Sequence, residues 1–283
     1  MERIRMCGTG GLNTGQGGCP FPPDKIRAIV LTDASAEFDI ATFEADFEQL
    51  VHADRPNRIY PIGNIAQYAQ AGGEPTMSTV GYAPAKHTGY DALTETWSLD
   101  SRPFGLFKSV LEVKGVAFRV FHIGGDGKVY AEKGSTAGKF KGSLLSSVYA
   151  NGTQFATDSE APGMNINLAY RDIERSWKNG IVLSADPSIV DKANGLQWVE
   201  LVSVGTPNKY KLINKDDGLD LTGVYGTLLA GATAWSNVTA ATFDANTETL
   251  TLTPTSGTTP LLKRPSELFA LSTPIIGIEQ WVA

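Results

Sequence analysis

Apolar and β-branched side chains run almost without interruption from Ile26 to Thr32, with Pro22-Pro23 ahead of them and Asp33 behind, which predicts a strand. The period then changes. Phe43, Phe47, Leu50 and Val51 recur at helical spacing with Glu44, Asp46 and Glu48 between them, the signature of a short amphipathic helix. Residues 54–91 hold no period of 2 or 3.6 and mix Pro, Gly and Asn with Tyr60, Tyr68, Tyr82 and Tyr90, so the expectation there is a long functional or partner-ordered loop. A second helix is predicted next. Ser101 is placed to cap it, Pro103 suits its first turn, Phe104, Phe107, Val110 and Leu111 form one face, and Gly115 stops it after Lys114.

Beyond Gly115 the pattern reads as β. Val116–Ile123 is rich in β-branched and aromatic residues, and Gly124-Gly125-Asp126-Gly127 turns it into Lys128–Glu132, a predicted hairpin. Leu144–Tyr149 continues the strand pattern, and Met164, Ile166, Leu168 and Tyr170 alternate with Asn165, Asn167 and Ala169, the period of a strand with one covered face. Asp186-Pro187 and Asn194-Gly195 mark a boundary. After it, Trp198–Val204, Lys209–Ile213, Val224–Leu229, Val238–Phe243, Thr247–Thr253 and Ile278–Val282 read as short strands at regular spacing. The predicted fold is therefore mainly β: a glycine- and proline-rich arm over residues 1–24, a β-rich sandwich or barrel with one or two short helices over 25–194, and an immunoglobulin-like β-sandwich over 195–283 without the Cys…Trp…Cys pattern. No internal repeat links the two parts.

Composition narrows the function. The 283 residues are enough for one large or two ordinary domains. A net charge of −6 argues against a nucleic-acid coat, which needs a concentrated excess of Lys and Arg. No apolar run approaches the roughly 18–20 residues that span a bilayer, and Met1–Met6 runs straight into glycine, so neither a membrane partner nor a signal peptide is expected. The two cysteines, Cys7 and Cys19, bracket a glycine-rich loop; they are too few for a closed zinc site, and synthesis in the cytoplasm favours two thiols over a bridge.

The chemistry-bearing motifs each meet a blander explanation. The glycine-rich arm lacks the Gly-Lys-Ser/Thr ending and the strand-to-helix setting of a phosphate loop. His52, His87 and His122 stand in no metal-ligand spacing and read as surface or hairpin histidines. Ser143–Ser147 offers hydroxyls without a base nearby in sequence, and there is no Gly-x-Ser-x-Gly. Asp216-Asp217-Gly218-Leu219-Asp220 lacks calcium-loop spacing and reads as a solvated turn. Glu95 and Glu112 form an acid/base pair only in the sense that any chain with 30 acidic residues does. Trp97, Trp177, Trp198, Trp235 and Trp281 form no stripe, so core packing is expected of each rather than a carbohydrate platform. Neither an enzyme nor a cofactor is expected.

What remains is architectural, and it belongs to an assembly subunit. The β-rich stretch Val116–Tyr170 with its hairpin at Gly124–Gly127, the helix Phe104–Lys114 and the strand-dense segment Trp198–Ala283 together resemble virion structural proteins of tailed bacteriophages, most of all tail-tube or tail-ring proteins with an appended immunoglobulin-like domain. The resemblance implies a virion protein assembled in the host cytoplasm, forming hexameric rings whose hairpins build a continuous inner barrel through which DNA passes without specific binding. Its partners would be further copies of itself and other tail proteins. Carried onto this chain, it makes Val116, Phe118, Val120, Lys128 and Tyr130 lumen-hairpin residues, and Cys7, Cys19, Gly63, Tyr82 and Tyr90 inter-ring contacts. The length of 54–91 departs from such a subunit and leaves a collar, head-decoration or tail-tip protein as alternatives. A cell-surface or glycan-binding β module is the competitor from another class.

Overall fold

The computed structural model describes residues 25–99, 104–152, 155, 157–158 and 163–282, so the arm with Cys7 and Cys19 and the proposed cap at Ser101 lie outside the described residues. The protein is mainly β. It divides into two compact units, one of residues 1–50 and 55–194, the other of 51–54 and 195–283.

The first unit runs β1 (Ile26–Asp33), β2 (Phe38–Asp39), α1 (Phe43–Val51), β3 (Ile59–Ile62), β4 (Ile65–Ala71), β5 (Pro75–Ser78), β6 (Lys86–Tyr90), β7 (Thr94–Leu99) and α2 (Phe104–Glu112). It continues through β8 (Phe118–Gly124), β9 (Lys128–Lys133), β10 (Lys139–Lys141), β11 (Ser143–Ala150), β12 (Asn165–Tyr170), α3 (Ile173–Lys178) and β13 (Gly180–Ser184). An eleven-stranded sheet follows the path β2-β10-β9-β8-β11-β12-β7-β4, with β1 joining β8 to β3 and β13 flanking β9. β11 pairs with β8 only through Ser143 and Leu144, then shifts register past Leu145 and pairs with β12. That irregularity carries the strand from one half of the sheet to the other, as a bulge does when it bends and twists a ladder.

β8 is the centre of this unit. Its even positions, Phe118 and Val120, face a core shared with Ile29, Leu31, Trp97, Leu99, Ile166 and Leu168. Its odd positions face the other way, where Phe121 packs edge-on against Phe43 at 5.5 Å and Phe140 at 5.7 Å between ring centroids. Phe38 and Phe47 complete a phenylalanine cluster that fixes α1 to the sheet. The helical spacing of Phe43 and Phe47 is what presents both rings to one strand. At the turn into β9, Gly127 has φ 77° and a Cβ there would lie 2.4 Å from the Ala185 carbonyl oxygen, so only glycine fits.

Two expectations need correction here. Residues 54–91 are not a structureless loop: they hold β3, β4, β5 and β6, and β3 and β4 join the main sheet. Short strands of mixed polarity carry no alternation because β4 has a single buried residue, Ile65, and β5 none. The face expected of α2 is also rotated. Val110 is buried with Leu106 and Phe107 against the core, while Phe104 and Leu111 are exposed.

The second unit contains β14 (Gln197–Ser203), β15 (Lys209–Asn214), α4 (Thr222–Leu229), β16 (Trp235–Ser236), β17 (Val238–Asp244), β18 (Thr249–Pro254), β19 (Leu261–Leu262), α5 (Pro265–Phe269) and β20 (Ile278–Gln280). Its five-stranded sheet has the order β17-β18-β15-β14-β20, antiparallel except for the parallel pair β14–β20. The layer over this sheet is α4, α5 and the β16–β19 ribbon, whose Leu229, Leu268, Trp235 and Leu262 pack on Val199, Leu212, Leu250 and Leu252. An immunoglobulin-like sandwich has a second full sheet in that place.

Val224–Leu229, expected as a strand, is the helix α4. Asp220 accepts from the Thr222 backbone N–H at 2.9 Å and starts the turn, and the Thr222 hydroxyl accepts from Leu212 N–H at 2.8 Å. Gly226 lies against the Phe243 ring so closely that an added Cβ would sit 2.3 Å from it. β-branched composition favours a strand, but this packing decides for the helix. The acidic run ending at Asp220 is a turn of the same kind: Asp217 accepts from Leu219 N–H at 2.9 Å, and Gly218 has φ 74°.

Phe121→Ala removes the ring that joins α1 to the sheet and is expected to cost about 3–5 kcal/mol, read as a lower urea midpoint at unchanged m-value. Acid sensitivity has a separate source. The Ser135 hydroxyl and backbone N–H and the Lys141 ammonium hold Glu37 down from 4.5 to about 2. A depressed carboxylate stabilises the fold above its unfolded value and loses that contribution as pH falls from about 4.5 toward 2. Urea titrations across this window are expected to show stability falling, with a shallower fall in Glu37→Gln.

Candidate functional site

The concave side of the first unit encloses a cavity of about 630 Å³. Side chains from seven strands reach its wall: Arg27 from β1, Tyr68 from β4, Glu95 and Trp97 from β7, His122 from β8, Tyr130 from β9, Ser143 from β11 and Tyr170 from β12. Alternation brings Glu95 and Trp97 to the same face of β7. Trp177 of α3 closes one side; Lys25, Gln67 and Gln70 add polar groups to the lining, and Ile26, Ile65, Leu93 and Ile173 apolar ones.

Glu95 is the hub of the wall. The Trp97 indole N–H donates to its Oε2 at 3.1 Å, and His122 Nε2 stands 3.0 Å from the same oxygen. Tyr170 lies on the same wall, near enough for its hydroxyl to sense the Glu95 charge. A buried carboxylate needs such donors, since it has given up its water. Burial, reinforced by the Glu95 charge, pushes the Tyr68 and Tyr170 hydroxyls above their ordinary range; for Tyr130, Glu132 adds to the effect as well. All three therefore keep their protons and act as donors. The rings run in sequence across the strands, with Tyr68–Trp97 at 4.6 Å, Trp97–His122 at 5.4 Å and His122–Tyr130 at 6.3 Å between centroids.

A second, smaller hollow lies beside Arg119. Its guanidinium donates to the Ala34 and Gly142 carbonyls at 2.7 and 2.9 Å, and the Ser176 hydroxyl donates to Glu132 at 2.5 Å. These contacts tie α3 and the ends of β1 and β11 to the sheet.

The residues singled out from sequence fall into three places. Phe118 and Val120 are buried in the subunit's own core, so their side chains are closed to a lumen or a neighbour; central pairing on both sides of β8 buries them. Tyr130 belongs to the cavity wall, Lys128 opens β9 in an ion pair with Asp126 at 2.5 Å, and Val116 lies exposed ahead of β8. Gly63, Tyr82 and Tyr90 lie on the stretch from β3 to β6. Gly63 sits in the β3–β4 connection, Tyr82 is fully exposed beyond β5, and Tyr90 ends β6 with its ring 5.0 Å from that of Trp177.

The hairpin β5–β6 is the most exposed element of this unit. Among the described residues its two strands pair only with each other, from Pro75↔Tyr90 to Ser78↔Lys86. Met77 is 58% exposed, Val80 81% and Tyr82 fully, so apolar side chains meet water along its length. The base is anchored by Glu74 N–H donating to Asp91 at 2.6 Å and by the Tyr90–Trp177 contact. Beside it in sequence, β4 pairs on one side only, with β7, and six of its seven residues are exposed.

Sequence reasoning missed the cavity. His122 and His52 are buried rather than on the surface: His122 by Glu95, His52 by stacking on Phe269 and accepting from Gly277 N–H at 3.0 Å. Of the proposed carboxylate pair only Glu95 lines the cavity; Glu112 is exposed at the end of α2. Trp177, expected in a core, is 40% exposed at the cavity side. The alternation Glu95-Thr96-Trp97, not read as a strand from the sequence, is a signal that could have pointed there. Among the described residues no group of His, Cys, Asp and Glu is arranged to hold a metal ion, and no helix is long and apolar enough to cross a membrane. No protein-family model matches the chain, and no curated protein matches it significantly.

Glu95→Gln puts an amide N–H₂ beside the Trp97 indole N–H and His122 Nε2. It is expected to destabilise the fold by about 1–3 kcal/mol, measured by urea denaturation, and to change the near-ultraviolet circular dichroism of Trp97.

Proposed function

We propose that the protein is a self-assembling structural subunit of a bacteriophage tail, a tube or ring component that forms hexameric rings around a channel for DNA. The observation that carries this reading is the hairpin β5–β6. A two-stranded hairpin is marginal in water by itself, and this one exposes Met77, Val80 and Tyr82 rather than burying them. Such a segment gains order and burial when a neighbouring copy covers it. The open edge of β4 offers unpaired backbone groups of the kind that continue a sheet from one subunit to the next. An acidic chain also suits a channel, because like charge keeps passing DNA from adhering.

Within this reading the contacts between copies are made by Gly63–Tyr90. Phe118 and Val120 of the central hairpin hold the subunit together and position Lys128 at its end. The alternatives of a collar, head-decoration or tail-tip protein share the same subunit chemistry and differ in what the hairpin meets.

Negative-stain electron microscopy and sedimentation velocity over a concentration series test the proposal. Rings or tubes with a central channel are expected from the full chain. The double variant Val80→Ser, Tyr82→Ser touches no core residue and is expected to raise the concentration needed for assembly about tenfold or more, with unchanged circular dichroism. Monomers at the highest soluble concentration, or assembly indifferent to the double variant, overturn the role given to the hairpin.

A further inference from the structure

We propose that the concave cavity of the first unit binds a neutral saccharide of one or two rings. Its volume, about 630 Å³, falls within the roughly 300–1,000 Å³ usual for small-molecule sites. The lining is of two kinds at once. Aromatic rings from Tyr68 and Trp177, 49% and 40% exposed, offer apolar faces, while Gln67 and Gln70 offer planar polar groups at exposed positions. A pyranose ring has the matching character, with C–H groups on its faces and hydroxyls, each both donor and acceptor, around its edge.

Charge and desolvation remove the other classes. A purely apolar ligand would strip water from the exposed Lys25, Arg27, Gln67 and Gln70 without replacing their hydrogen bonds, at a cost of roughly 1–3 kcal/mol for each group. An organic cation would be drawn to Glu95 between aromatic rings, but Lys25 and Arg27 also line the cavity and leave it with more positive than negative charge. An anion would find Lys25 and Arg27, then meet a carboxylate in the same enclosed space. A hydroxyl-rich neutral ligand can donate to and accept from the Gln67 and Gln70 amides and accept from Lys25 and Arg27, all at exposed positions. The wall is also preorganised, since Trp97 Nε1 and His122 Nε2 hold the carboxylate at 3.1 and 3.0 Å.

This inference does not rest on the assembly proposal, and the full chain serves for the test in whatever oligomeric state it adopts. Tryptophan fluorescence and saturation-transfer NMR would be recorded with glucose, galactose, mannose, N-acetylglucosamine, lactose and cellobiose, and with tetramethylammonium, adenosine and decanoate as the competing classes. At least one saccharide is expected to give a saturable response with Kd of about 1 mM or tighter. Trp177→Ala and Gln67→Ala are expected to weaken it about tenfold, and Gln67→Ala, at an exposed position, to leave the urea midpoint unchanged. No saturable response to any sugar, a response untouched by both variants, or tighter binding of one of the three competing compounds overturns the proposal.

Discussion

The first unit depends on a strand that is buried on both faces. β8 is paired with β1 along one edge and with β11 and β9 along the other, so its backbone groups are satisfied inside the sheet. Its side chains then face two different cores. Phe121 meets the phenylalanine cluster that seats α1, and Phe118 and Val120 meet the aliphatic core under β7 and β12. A strand in this position leaves no solvent face on which polar residues could collect, and the one polar residue in its middle, His122, is buried with a carboxylate for partner.

That burial explains why the cavity is polar at its wall. β11 leaves β8 after two paired residues and bends across to β12, which opens a concavity between the halves of the sheet. His122, Tyr130 and Glu95 line the cavity, where the Glu95 carboxylate accepts from Trp97 of its own strand and lies 3.0 Å from His122 Nε2 of β8. The hairpin β5–β6 is the opposite case, with its backbone paired and its side chains left in water.

The second unit reaches stability by another route. Its sheet is covered by short helices and a ribbon, and the close approach of α4 to Phe243 is allowed by Gly226. Trp235 shows how tightly this layer is joined: its indole N–H donates to the Leu229 carbonyl at 2.9 Å, capping the end of α4 from the next element. Burial of apolar area sets the pairing of these layers, and the buried hydrogen bonds fix their register.

Much of this was legible in the sequence. β1, α1, the β8–β9 hairpin, β12 and most strands of the second unit follow from periodicity and turn residues, because each buries a face whose spacing is local. β3 to β6 were not legible, since β3 is short and buried on most positions while β4, β5 and β6 are exposed on most, and none of them carries alternation, and α4 was misread because its helix is decided by a ring from another strand. The site stands at the far end of that scale. Glu95 and His122 are 27 residues apart in sequence and 3.0 Å apart in the fold. The sequence by itself determined the mainly β class, the acidic character and the local elements, all of which depend on neighbours along the chain. Only the tertiary structure decided that a carboxylate, an imidazole and several aromatic rings share one wall, because cross-strand contact depends on sheet order and register, which no local spacing encodes.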